Sequence, residues 1–262
     1  MEDVEQYKLG WIIYTILEIQ FQLSSMGIFI RGGITLKELY TGKNFIYGKG
    51  IIDAYHIENK IAIYPRVVID KELIKFINNQ VLGEIDAMSD IVNALGYDIN
   101  NITESNAIGL HFAIWTMFTN TDLYDSTVGE EKIKLFLDAA VIYNSMFSNC
   151  ILQDEDGEYY INFMQYTKSS WFINTKHFEE IDKYILCICL HIKREIESNI
   201  NNKRIINKYK WLLNYLYSWF ANSGLDDAEK YTKLITDVLK KLKWTLIRRL
   251  ITKIRKCLLS LG

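Results

Sequence analysis

The sequence predicts an α+β protein with a large helical C-terminal part, and three observations carry that prediction. Between Ile28 and Asp70, short apolar runs, glycines and one helical run alternate in a β-β-α-β order. On both sides of this block, apolar residues recur at helical spacing. A single proline against 14 glycines, with 49% apolar residues in 262, supplies a core and leaves no proline-rich linker.

The first element is a helix over residues 3–26, with Trp11, Ile12, Ile16, Ile19 and Leu23 on its buried stripe and Gly27 as its stop. Ile28 to Leu39 and Asn44 to Tyr47 then read as a strand pair, with Thr41-Gly42-Lys43 as the hairpin loop. A helix from Gly48 to Lys60 leads into a strand from Ala62 to Ile69, opened by Pro65-Arg66. Residues 71–82, 86–95, 108–118 and 130–148 are helical or apolar segments. Asp154-Glu155-Asp156-Gly157 is a turn into the strand Tyr159 to Phe163, which pairs near Ile151. This turn is not an EF-hand, because the downstream position that needs a bidentate Glu is apolar.

Three helices follow, over 177–200, 203–221 and 226–262, separated by Asn199 to Asn202 and Asn222-Ser223-Gly224. The aromatic run Tyr209, Trp211, Tyr215, Tyr217, Trp219 and Phe220 has helical spacing, so it packs a core or an interface; a base-stacking platform would sit on a sheet or groove. The division expected is a first domain over 1–170 and a helical region over 171–262.

Charge is unevenly distributed. From Phe76 to Glu131 there are nine acidic residues and no Lys or Arg, whereas residues 238–262 carry eight Lys or Arg and no acid. Leu239, Leu242, Leu246, Leu250 and Ile254 share one side of this tail, with Lys241, Arg248, Arg255 and Lys256 on the other and Trp244 near the boundary. Such a basic amphipathic helix either packs on its own domain or meets a membrane surface. Glu2, Asp3 and Glu5 precede the first apolar run where a secretory signal needs cations, and Glu18, Gln20 and Gln22 interrupt that run. The four cysteines show no metal-ligand spacing, and Cys187 and Cys189 point to different helix faces. No histidine constellation suggests a dyad or a metal. These features place the chain in the cytoplasm, with a peripheral membrane contact through its tail as the alternative.

The densest residue choices are Arg31-Gly32-Gly33-Ile34, then Tyr47-Gly48-Lys49-Gly50-Ile51-Ile52-Asp53-Ala54-Tyr55-His56-Ile57-Glu58, then Pro65-Arg66 before a Val-Val-Ile strand, and finally Lys208-Tyr209-Lys210-Trp211-Leu212. Together these resemble a class III nucleotidyl cyclase homology domain, in which an RxGIxxG strand leads through a hairpin to YG and a GxxVNxAxRLE helix. The closer likeness is to a poorly characterised bacterial offshoot of RGGI/YPRI type. The resemblance implies a degenerate, N-terminally truncated domain with a partial ferredoxin-like cyclase-type sheet. It also implies that the catalytic Asn and Arg positions fall on Ile52 and His56, and that the two metal-binding Asp have no counterparts. Ile offers no donor and His lacks the planar permanent charge of Arg. No catalytic residue, metal or cofactor is therefore expected, and the chain alone is not expected to be a cyclase.

The candidate ligand-binding residues are Arg31, Gly32, Gly33, Gly48, Lys49 and Arg66. Arg31 either meets a phosphate or carboxylate, or pairs with Glu58 or Asp53. Gly48 and Gly50, with Lys49, either receive an anion at a helix N-terminus or form a tight strand-to-helix turn. Arg66 lies one strand from Arg31, so the two could share an anion. The function expected is a non-catalytic cyclase-like subunit or regulatory module that binds a nucleotide-like ligand or a protein partner. The alternatives are a fragment that completes a cyclase site with a partner chain, and a membrane-surface protein acting through residues 238–262. A homo-oligomer or a partner protein is expected along an open sheet edge; nucleic acid is not.

Overall fold

The computed structural model describes residues 6–76, 79, 149–168, 181–224 and 228–240. The segments expected over 86–95, 108–118 and 130–148, and the tail beyond residue 240, lie outside these residues. The chain divides into two compact units, one of residues 1–23 and 30–180 and the other of residues 24–29 and 181–262.

The first unit mixes helix and strand. Its elements are α1 (Gln6–Ser25, of which residues up to 23 belong here), β1 (Gly32–Ile34), β2 (Tyr40–Gly42), β3 (Phe45–Tyr47), α2 (Lys49–His56) running into a π-turn (Ile57–Ile61), β4 (Val67–Ile69), α3 (Lys71–Phe76), β5 (Ile151–Gln153), β6 (Tyr159–Ile161) and a 3₁₀ helix (Phe163–Lys168). Four strands form one sheet in the order β1-β4-β6-β5, with β1 parallel to β4 and the other pairs antiparallel. Central β4 is buried along its whole length, as a Val-Val-Ile run without alternation requires. The parallel β1–β4 pair needs a long crossover, and residues 35–66 provide it through the β2–β3 hairpin and α2.

The expected strand pair is corrected here. Residues 28–39 and 44–47 do not pair. The hairpin joins β2 to β3 around Lys43-Asn44, with Tyr40 opposite Tyr47 and Gly42 opposite Phe45. Thr41 and Gly42, expected in the loop, are strand residues. The long run from Ile28 breaks because Ile34 leads into Thr35, whose hydroxyl donates to Asp70 at 3.1 Å, while Asp70 N–H donates to Ile34 O at 2.8 Å. This ties the end of β1 to the end of β4, and the Asp70 carboxylate then accepts from Glu72 N–H at the start of α3.

The buried stripe of α1 is also displaced by one position from expectation. Ile13, Tyr14, Leu17, Gln20 and Phe21 are buried, whereas Ile12 and Ile19 are about half exposed. Apolar residues occur on most sides of this helix, so spacing alone does not fix the inward face. Tyr166 decides it: its ring contacts Tyr14 and Phe21 at 5.8 and 5.4 Å, and its hydroxyl donates to Glu18 at 3.0 Å.

In the second unit, Gly27 (φ +80°) closes the end of α1, and two long helices follow, α4 (Ile181–Ser198) and α5 (Lys203–Ala221), with residues 228–240 also helical. Asn202 caps α5 by accepting from Arg204 and Ile205 N–H. Trp219, Phe220 and Tyr231 pack ring against ring at 4.7–5.0 Å, which assigns these aromatics to a helical core. Cys189 is buried and its thiol pKa is pushed up to about 12 by desolvation, while Cys187 is exposed on the other face.

Two glycines test this description. A Cβ on Gly33 would lie 2.6 Å from Ala54 O and 2.7 Å from Ile57 Cβ, where strand and helix meet. Gly157 has φ +79° but open space around it. Gly33→Ala should cost about 2–3 kcal/mol through overpacking, and Gly157→Ala about 1 kcal/mol through backbone strain alone; urea unfolding of both variants checks the order.

Candidate functional site

The most concentrated chemistry in the first unit surrounds Arg66. This residue sits just ahead of β4 and its side chain is entirely buried. Pro65 fixes the local backbone, and Arg66 N–H turns back to Tyr64 O at 2.8 Å. The guanidinium pairs with Asp154 and Asp156, and one of its nitrogens reaches a second oxygen of Asp156 at 3.2 Å. The rings of Tyr64 and Tyr160 lie 5.4 and 5.7 Å from its central carbon, so the cation is held between aromatic faces as well as carboxylates.

Both carboxylates come from the β5–β6 turn. Asp154 N–H donates to Glu158 O and Gly157 N–H to Asp154 O, closing a tight hairpin that presents the acids at positions i and i+2 on one side. Burial pushes the Asp156 carboxyl upward, but hydrogen bonding and the charge of Arg66, with backbone N–H donors, outweigh it and hold the pKa below its ordinary value. The Tyr160 hydroxyl is pushed up, first by burial and then by the nearby charge of Asp154. On the rim, Lys71 meets Glu158 at 2.8 Å, which raises the lysine pKa.

Arg31 is placed differently. β1 and β4 are neighbours, and Gly32 N–H donates to Arg66 O at 3.3 Å, yet the two guanidinium groups go to separate carboxylates. Arg31 Nε meets Glu58 at 2.6 Å, one of the two partners its sequence position suggested, and both side chains keep over a quarter of their surface exposed.

Two of the three glycines of the candidate set, Gly33 and Gly48, lie at close approaches of the chain. Gly33 faces Ala54 and Ile57, whereas Gly32 has ordinary contact with Val67. Gly48, at φ +149°, is the residue before α2, and a Cβ there would meet Glu38 O at 2.4 Å. Gly50 N–H donates to the same carbonyl at 3.1 Å, which takes up one of the free donors of the helix start. Lys49 between them is exposed. On α2, Ile52 is 67% and Tyr55 68% exposed, and Ile51 and His56 are exposed beside them.

In the sequence, Asp154 and Asp156 stand out only as turn residues. Their signal was the repeat of acids at i and i+2 ahead of a glycine, which needed a distant buried cation to give it meaning. Among the described residues no group of three or more His, Cys, Asp or Glu is placed to hold a metal, and no helix is long and apolar enough to cross a membrane. No family model matches the chain, and no match is found among curated proteins or solved structures.

Arg66→Ala would leave two carboxylates facing each other without their cation. It should cost about 3 kcal/mol, toward the low end for a broken buried pair because the acids keep some solvent contact. Arg31→Ala, on a partly exposed pair, should cost below about 1 kcal/mol. The depressed Asp156 pKa contributes stability that is present above the ordinary carboxylate range and lost as pH falls below it into the native range. Melting temperatures between pH 7 and acid should therefore drop less steeply in Asp156→Asn than in the unaltered protein.

Proposed function

We propose that this protein is a non-catalytic, cyclase-like regulatory module that acts by binding a protein partner. The observation that carries this reading is the outward face of α2. Ile51, Ile52 and Tyr55 form an exposed apolar stripe, at i, i+1 and i+4, on the helix that the cyclase resemblance would make catalytic. A nucleotide site needs a donor and a cation there, and isoleucine and tyrosine favour a protein surface instead. β1 adds to this, since it is an edge of the four-stranded sheet among the described residues. The nucleotide-binding variant of this reading draws less support, because Arg31 and Arg66 already face carboxylates.

A photo-crosslinking residue at Tyr55, in the full chain expressed in its native cells, should trap one discrete protein adduct that Ile52→Glu abolishes. Adducts no stronger than those from a crosslinker at exposed Glu155 would overturn the proposal. With Mg²⁺ or Mn²⁺, the purified protein should convert none of the four nucleoside triphosphates into a cyclic product; turnover above that of denatured protein would return the chain to the enzymes.

A further inference from the structure

The β2–β3 hairpin presents a second surface, of different character. Every residue from Glu38 to Tyr47 is exposed, and within this run Tyr40, Phe45, Ile46 and Tyr47 each leave more than half of their surface in solvent. Among the described residues the two strands pair only with each other. The register places Tyr40, Tyr47 and Phe45 on one face, where the tyrosines stack at 5.1 Å, Phe45 packs on Tyr47 at 5.7 Å and the Phe45 ring lies over Gly42. Thr41 and Ile46 occupy the opposite face.

Apolar surface on both faces of a two-stranded hairpin restricts what can cover it. A flat protein surface would bury one face and leave the other wet. A medium that surrounds the element buries both. The charge pattern narrows the choice further: exposed Glu38 stands at the base of the hairpin, and from Leu39 to Ile52 the chain carries Lys43 and Lys49, both exposed, and no acid. Tyrosine and phenylalanine favour the bilayer interface, and lysine beside them is drawn to anionic headgroups. Because these strands pair only with each other among the described residues, their outer edges carry backbone groups that headgroup phosphates and water can satisfy but hydrocarbon cannot, so the contact must be shallow.

We propose that the β2–β3 hairpin is a membrane-contact element that lies in the headgroup region of an anionic phospholipid bilayer, with Tyr40, Phe45, Ile46 and Tyr47 inserted and Lys43 and Lys49 on the phosphates. It is independent of protein docking on α2, and it uses a surface other than the basic tail over 238–262.

The full-length protein should co-sediment with phosphatidylcholine vesicles containing a quarter phosphatidylserine and not with pure phosphatidylcholine. The double variant Phe45→Ser/Tyr47→Ser should lose roughly tenfold or more in partitioning with an unchanged melting temperature. Lys43→Ala and Lys49→Ala should each lose about fivefold and make binding less sensitive to salt. Failure of the unaltered protein to bind anionic vesicles overturns the proposal, as does equal binding by the folded double variant, which would assign the contact to the tail. A change in sedimentation mass of the double variant without lipid also overturns it, since the hairpin would then be a self-association surface. If the double variant does not fold, Lys43→Glu/Lys49→Glu decides, and undiminished binding by it refutes the assignment.

Discussion

A buried arginine holds the first unit together. Arg66 precedes the central strand, and its two carboxylate partners arrive from a turn 88 and 90 residues further along the chain. Taking a guanidinium out of water is favourable only if its charge and its donors are met, and Arg suits this because its planar fork can engage two carboxylates at once. The consequence is a fixed register between β4 and the β5–β6 hairpin, which side-chain alternation in three-residue strands would specify only weakly. One cation against two acids leaves the cluster net negative. A phosphate approaching Arg66 would meet that negative field before it met the guanidinium, which bears directly on how the arginine should be read.

The glycines around α2 express a second constraint, that of backbone approaching backbone. Gly33 lets β1 lie against Ala54 and Ile57, and Gly48 with Gly50 lets the helix start pass beneath the Glu38 carbonyl. Gly33 and Gly48 are required by space or by φ, and Gly50 fits tightly, whether or not a ligand ever comes near. Residues that look like a ligand fingerprint in a sequence can thus be fully used in seating one helix on one strand. What remains outward on that helix, Ile52 and Tyr55, is what a partner would meet.

Legibility in the sequence followed the strength of local signals. The α+β class, the Gly27 stop, the β5–β6 hairpin and the bounds of α5 were readable because turn residues and helical spacing marked them. The buried face of α1 was not, since a helix apolar on most sides has no preferred phase until Tyr166 packs on it. The β1–β4 pairing escaped for a related reason: adjacent runs suggest a hairpin, and only the Thr35–Asp70 and Ile34–Asp70 bonds reveal a parallel partner beyond the crossover. The Arg31–Glu58 pair was one of the open readings, whereas the partners of Arg66 could not be seen at a separation of nearly ninety residues.

Folding alone does not account for the exposed aromatic residues of the hairpin. Its base is held by the Gly50–Glu38 hydrogen bond and by the positive-φ backbone of Gly48, neither of which uses a ring. The stacked rings do stabilise the cross-strand pairs, by roughly 0.2–1 kcal/mol per pair, but threonine or valine would serve a β-ribbon as well without exposing so much apolar area. Tyr40, Phe45, Ile46 and Tyr47 therefore answer to something other than the core of this unit. With Lys43 at the tip and Glu38 only at the base, an anionic interface of the kind proposed would suit these side chains better than water.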